Sequence, residues 1–197
     1  MITEVDEQIG RVLQALERSG RADDTIVVFA SDNGLALGQH GLMGKQNLYD
    51  HSVRVPLVIG GPGLPRGKRV DSLCYLMDLF PTFCDLTGLK TPASVEGRSL
   101  MPAITGQQQH VRDSVFLAYK DLQRAVRTDD WKLILYNVEG KETTQLFDMR
   151  QDAFEMRNLA ADPAQSARIR ELRAVLKRWM SETDDRLHLD KPNWGRG

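Results

Sequence analysis

Six consecutive residues, Thr25-Ile26-Val27-Val28-Phe29-Ala30, are β-branched or apolar, and the run stops abruptly at Ser31-Asp32-Asn33-Gly34. A strand with one wet face alternates polar and apolar residues. An unbroken run therefore predicts a strand covered on both faces, as in a parallel sheet flanked by helices. The neighbouring segments agree with that class. Ile2, Val5, Ile9, Val12, Leu13 and Leu16 form one helical stripe that ends at Gly20, and such a stripe needs an apolar surface to pack on. A second apolar strand, Val55-Pro56-Leu57-Val58-Ile59, exits into Gly60-Gly61-Pro62-Gly63. A helix is expected from Asp78 to Leu86, with Pro81 in its first turn and Gly88 closing it. Helices interleaved with glycine-exited strands make an α/β pattern.

From about residue 110 the texture changes. Ser114 to Tyr119, Leu122 to Thr128, Trp131 to Asn137 and Thr143 to Phe147 are short strand candidates, with turn signals at Asp129-Asp130 and Glu139-Gly140. Asp162 as N-cap and Pro163 behind it open a last helix, whose stripe is Ile169, Leu172, Leu176, Trp179 and Met180. The expected organisation is an α/β portion over 1–109, an antiparallel sheet with a C-terminal helix over 110–184, and a loose tail over 185–197 with Trp194 as its exception.

Composition excludes several classes. Lys and Arg total 26 against 27 Asp and Glu, a net charge of −1, so there is no basic excess to hold nucleic acid. No apolar run approaches the roughly 20 residues that cross a bilayer, and the opening residues lack the pattern of a signal peptide. A soluble chain is expected, its compartment unknown. Cys74 and Cys84 are too few for a disulfide scaffold or a thiolate zinc site. Both lie among apolar residues and are expected to be buried, reduced thiols.

Chemistry-bearing residues concentrate between Ser31 and Lys45. The carboxyl end of a buried strand is where α/β sheets place their sites. Asp32 and Asn33 there offer hard oxygens of the kind that Ca²⁺ or Mg²⁺ prefers. His40 and Lys45 follow in a long glycine-rich loop. A cation, an imidazole and an ammonium together suit an anionic tetrahedral group: cation and Lys45 neutralise oxygen charge, and His40 donates a hydrogen bond or a proton. Asp-Asn-Gly is also a common turn, and a loop His or Lys is commonly just solvated. The spacing alone stops at an anion-handling metal site as one of these readings.

Ser31-Asp32-Asn33-Gly34, Gly38-Gln39-His40-Gly41, Gly44-Lys45, Tyr49 and Val53-Arg54-Val55-Pro56-Leu57-Val58-Ile59 follow one another in an order that resembles the sulfatase family of the alkaline phosphatase superfamily. Met77-Asp78-Leu79-Phe80-Pro81-Thr82, Glu96-Gly97-Arg98-Ser99-Leu100, Val126-Arg127-Thr128, Trp131-Lys132, Leu146-Phe147-Asp148-Met149, Asp152, Glu155 and Asn158-Leu159 continue the pattern. The resemblance implies a partial alkaline-phosphatase-like sheet with helices, followed by the small antiparallel sheet and C-terminal helix. It implies that Asp32 and Asn33 are metal ligands, most often for Ca²⁺, with Mg²⁺ or Mn²⁺ as alternatives. Lys45 is then the lysine that contacts sulfate, and His40 an active-site neighbour found in some branches. Arg54 and Asp78 are expected to be structural, Arg54 buried against carbonyls and Asp78 capping a helix.

Departures from the family are equally informative. Sulfatases convert a Cys or Ser in Cys/Ser-x-Pro/Ala-x-Arg to the formylglycine nucleophile, and neither Cys74 nor Cys84 stands in such a context. The family's paired aspartates and further Lys and His residues also precede the matched region. The chain is thus expected to resemble the C-terminal part of a sulfatase. Its cation would be weakly held without the remaining ligands, and hydrolysis of a sulfate ester, on a small molecule or a glycan, would need the whole enzyme. Expected partners are a missing N-terminal half or further copies of the chain. Two alternatives stand beside this reading: a phosphonate or phosphate ester hydrolase of the same superfamily, or a non-catalytic binding or assembly module. Phosphonate-hydrolase relatives tend to carry Asp-His where this chain has Asp32-Asn33, which favours the sulfatase.

Overall fold

The computed structural model describes residues 2–195. Its first element, α1 (Ile2–Arg18), has the predicted length and ends before Gly20, whose φ of +71° suits glycine. None of its residues is buried, and the apolar stripe lies open, with Val12 69% exposed. The apolar run contributes β1 (Val27–Ala30). Next come the two-residue strands β2 (Ala36–Leu37) and β3 (Met43–Gly44), the single helical turn α2 (Asp50–Val53) and β4 (Leu57–Gly60). Strand β1 pairs antiparallel with β4, so the expected parallel, doubly covered strand is corrected among the described residues. Phe29 and Val58 are register partners, and both are exposed. The composition of an interior strand is present, but the described residues give β1 only one hydrogen-bonded neighbour.

Helices α3 (Leu79–Thr87) and α4 (Met101–Thr105) are anchored around Asp78. Gly88 closes α3 at φ +70°. Asp78 has no exposed surface; it accepts the Tyr75 amide at 2.7 Å and the Arg98 amide at 2.8 Å, and takes both terminal nitrogens of Arg112. Burial pushes its pKa up, but the guanidinium and the two amides outweigh that and hold the carboxyl below its ordinary value. The structural role expected for Asp78 is therefore met by a wider grip than a helix cap. Arg54, expected to be buried, is exposed. Cys74 is exposed too, a second correction, whereas Cys84 is buried as expected, and both are free thiols.

The C-terminal sheet runs β5 (Val115–Tyr119), β6 (Gln123–Arg127), β7 (Trp131–Val138) and β8 (Lys141–Asp148), all antiparallel and in sequence order. Glu139 and Gly140 make the tight β7–β8 turn with positive φ at both positions. Helix α5 (Ser166–Glu182) follows a short 3₁₀ turn at Pro163–Gln165, which Asp162 caps by accepting the Ala164 amide at 2.9 Å. Alternation along the strands separates two cores. On one face Val126, Leu133, Leu135 and Leu146 pack on Leu172, Leu176 and Met180 of α5. On the other, Ala125, Ile134 and Phe147 pack on Leu48 and Tyr49 from the N-terminal part.

The segment beyond Asp184, expected as a loose tail, joins the first of these cores. Leu189 and Trp194 are buried there, and the Trp194 indole donates to Glu142 at 3.0 Å. Two large apolar side chains are enough to dock it; residues 196–197 lie outside the described residues.

Candidate functional site

Asp32 and Asn33 leave β1 in a turn closed by its own side chains. The Ser31 hydroxyl donates to the Asn33 carbonyl at 2.8 Å, and Asp32 Oδ1 accepts the Asn33 amide at 2.9 Å. Gly34 follows, its amide donating to the Ser52 carbonyl of α2 at 2.9 Å. A Cβ placed at Gly34 would lie 2.0 Å from the His51 carbonyl oxygen, so this close approach admits glycine alone.

The chain then makes the β2–β3 ribbon and returns at Lys45, whose ammonium donates to Asn33 Oδ1 at 2.8 Å. Asn33 Nδ2 donates to the Gly34 carbonyl, which orients the amide so that its oxygen meets the lysine. The structure thus joins two of the four predicted residues directly, with Asp32 adjacent in sequence. Because Lys45's partner is a neutral amide, the bond leaves the positive charge uncancelled. Asn33, Gly34 and Lys45 line an open cleft of about 930 Å³ with Ser31, Leu35 and Pro56. A volume of that order holds a small-molecule or sugar-sized ligand.

His40 takes a different place. At φ +54° it turns the loop, and its ring stacks on Tyr49 with centroids 4.0 Å apart and planes 5° from parallel. His51 lies 5.5 Å from His40, centroid to centroid. Burial, then the neighbouring His40 and Lys132, push the His51 pKa down, and that outweighs the pull of Asp50. His51 is thereby favoured in its neutral form at pH 7.

Asp32 and Asn33 have the hard oxygen donors a divalent cation takes, but they fit only one edge of a cation site. Calcium takes six to eight oxygens, and Asn33 Oδ1 is already shared with an ammonium. Among the described residues no three His, Cys, Asp or Glu side chains converge to hold a metal ion.

A second cluster lies beneath the loop. Lys132 of β7, with no exposed surface, reaches Asp50 at 2.8 Å and Glu155 at 2.6 Å. Glu155 Oε2 accepts the Asp50 amide at 2.6 Å, and Arg127 stands 3.6 Å from Asp50. Burial pushes the Glu155 carboxyl up, against the pull of Lys132. Sequence reasoning used Lys132 and Glu155 only as pattern residues and passed over Asp50. A signal was available: in Trp131-Lys132-Leu133-Ile134-Leu135 the lysine shares the inward parity of Ile134, and a lysine there requires a buried carboxylate.

Comparisons with known proteins agree with one another. Residues 38–182 match the family described as N-sulphoglucosamine sulphohydrolase, C-terminal. An N-acetylglucosamine-6-O-sulfatase of Bacteroides thetaiotaomicron is 32% identical over 193 residues, covering 92% of this chain and 34% of its own length. A choline-sulfatase of Rhizobium meliloti is 34% identical over 170 residues, covering 82% of this chain and 32% of that protein. A protein solved in complex with its substrate D-glucosamine-2-N,6-O-disulfate superposes with a TM-score of 0.86 at 28% identity, over 99% of this chain and 41% of that one. The phosphonate monoester hydrolase of Agrobacterium radiobacter gives 0.80 at 30% identity, over 92% and 40%. The chain therefore spans roughly a third to two fifths of the length of these relatives. No helix among the described residues is long and apolar enough to cross a membrane.

Proposed function

This chain belongs to the sulfatases, through the C-terminal N-sulphoglucosamine sulphohydrolase family, and we propose that it supplies the sulfate-binding edge of a sulfuric ester hydrolase. The carrying observation is the 2.8 Å bond from Lys45 to Asn33, which holds an ammonium on a neutral amide at the lining of a cleft. Lys45 stabilises the sulfate oxygens as the S–O bond breaks, an electrostatic role that needs a fixed charge and no reorganisation. Asp32 and Asn33 would hold a divalent cation, Ca²⁺ ahead of Mg²⁺ or Mn²⁺, which when bound neutralises further oxygen charge. His40, held on Tyr49 and outside the residues that line the cleft, would act as a hydrogen-bond or proton donor.

The substrate class is a sulfate ester of a small molecule or glycan, in line with the sulfated glucosamine bound by a structural relative. Neither cysteine carries the nucleophile motif, so the 197 residues alone are expected to show no turnover. An aryl sulfate assay with Ca²⁺ checks this, and turnover abolished by Lys45→Ala would overturn it. Binding is tested separately by following Asn33 and Lys45 by NMR while inorganic sulfate is added, with and without Ca²⁺. Saturable shifts lost in Lys45→Ala are expected; sulfate that ignores that substitution refutes the role.

The open stripe of α1 and the exposed β1–β4 pair are the faces that an upstream sulfatase half, or a further copy of this chain, would cover. Association is expected in light scattering, and a monodisperse monomer counts against it. A second reading, phosphonate ester hydrolysis, rests on the likeness to the phosphonate monoester hydrolase. A phosphonate monoester tested against a sulfate monoester on the intact enzyme separates the two.

A further inference from the structure

Lys132, Asp50 and Glu155 come from three distant parts of the chain and are each at least nine-tenths buried. Replacing a buried ion cluster by apolar side chains of similar volume is often neutral or stabilising, so stability is weak ground for keeping these charges. Their bonds have direction. Lys132 spans one oxygen of each carboxylate, and the free oxygen of Glu155 takes the Asp50 backbone amide. Glu155 itself has φ +58°, a left-handed conformation that a non-glycine residue keeps only when its surroundings hold it there.

What these bonds grip is α2. Its Ser52 carbonyl accepts the Gly34 amide, and its backbone meets Gly34 with no room for a Cβ. The Gly34 carbonyl in turn orients Asn33, and Asn33 receives Lys45. On the other side of the loop, the Lys45 carbonyl accepts the Asn47 amide, and Leu48 and Tyr49 are seated on the sheet. A continuous set of short bonds therefore links β7 to the cleft.

We infer that Lys132, Asp50 and Glu155 are positioning residues for the Asn33–Lys45 anion site: the C-terminal sheet sets the height and orientation of α2, and α2 sets Gly34 and Asn33. The inference rests on the sulfate-binding reading of that site, and its structural half can be read without any ligand.

The test uses the 197-residue chain, hydrogen exchange at Gly34 and Asp50, and the NMR signal of the Asn33 side-chain amide. In the unsubstituted chain the Gly34 and Asp50 amides are expected to open together, with one protection factor. In the combined Asp50→Asn, Lys132→Met and Glu155→Gln variant all three charges go at once, leaving beside them the part-buried Arg127, which keeps some access to solvent. There the strands β6–β8 keep their signals, Gly34 exchanges at least about tenfold faster, the Asn33 amide signal moves, and sulfate affinity falls by about tenfold or more. A folded variant with unchanged Gly34 and Asn33 overturns the inference. If that variant does not fold, the unsubstituted chain still decides, because independent exchange at Gly34 and Asp50 overturns it equally. Gly34 responding while sulfate ignores Asn33 and Lys45 removes the anion-site reading and leaves the mechanical link, so the two failures are distinct.

Discussion

Replacing Asp78 by Asn changes one atom and tests the grip at the base of α3. Each carboxylate oxygen serves one backbone amide and one guanidinium nitrogen: Oδ2 takes Tyr75 and Arg112, and Oδ1 takes Arg98 and Arg112. Whichever way the Asn amide is turned, its NH₂ group faces one backbone donor and one guanidinium donor. Each unsatisfied buried donor costs about 1–3 kcal/mol. Removing one partner of a buried ion pair costs about 3–5 kcal/mol in total, and these are overlapping descriptions of one loss. An expected destabilisation of about 3–5 kcal/mol corresponds to a Tm lowered by roughly 6–20 °C for a chain of this size.

The pH dependence supplies a second readout. The folded carboxyl is held below its ordinary value, so its contribution is fully present above the unfolded pKa and is lost as pH falls through the lower, folded one. The gap between wild type and Asp78→Asn should therefore be widest near neutrality and close in acid. Urea melts at pH 7 and at successively lower pH measure both. The double variant Asp78→Asn, Arg112→Met should regain part of the loss, because it no longer buries a lone cation. A single variant within about 1 kcal/mol of wild type at pH 7 refutes the reasoning. So does a gap that widens in acid.

Gly34→Ala should displace α2 from the Asp32–Asn33 turn, since the new Cβ would meet the His51 carbonyl at 2.0 Å. Loss of Gly34 protection and of sulfate binding in a chain with an intact C-terminal sheet is the expected NMR result. Lys45→Ala should leave stability within about 0.5 kcal/mol, because the side chain is exposed, while abolishing sulfate binding. Trp194→Ala should destabilise by about 3–5 kcal/mol, as for other fully buried aromatics, and a chain stopped at residue 184 should behave alike in chemical melts.

Much of this fold is legible from periodicity, because α1, α3, α5 and the four C-terminal strands each carry a local signal, although no described residue of α1 is buried. The failures are of another kind. Thr25 to Ala30 has an interior composition, yet exposure depends on what lies across the sheet, and no local pattern contains that. Arg54 and Cys74 fail for the same reason. The tail is misjudged because a lone Trp among polar residues has no period, although burying one indole can dock a whole segment. At the site, Asp32, Asn33 and Lys45 stand out by residue type and spacing. The support beneath them does not, since Asp50, Lys132 and Glu155 meet only through tertiary structure, over 82 and 105 positions.

Those separations carry a consequence for how the protein is made. The loop bearing Asn33 and Lys45 leaves the ribosome before the lysine and glutamate that seat α2. At typical synthesis rates the 105 positions between Asp50 and Glu155 take roughly 5–20 s to emerge. For most of that interval Leu48 and Tyr49 have no complete sheet to rest on, and the turn around Gly34 has no fixed floor. The candidate site is therefore seated only once distant chain has emerged, so a nascent chain that has not reached Glu155 would contain every predicted site residue without the support inferred for them.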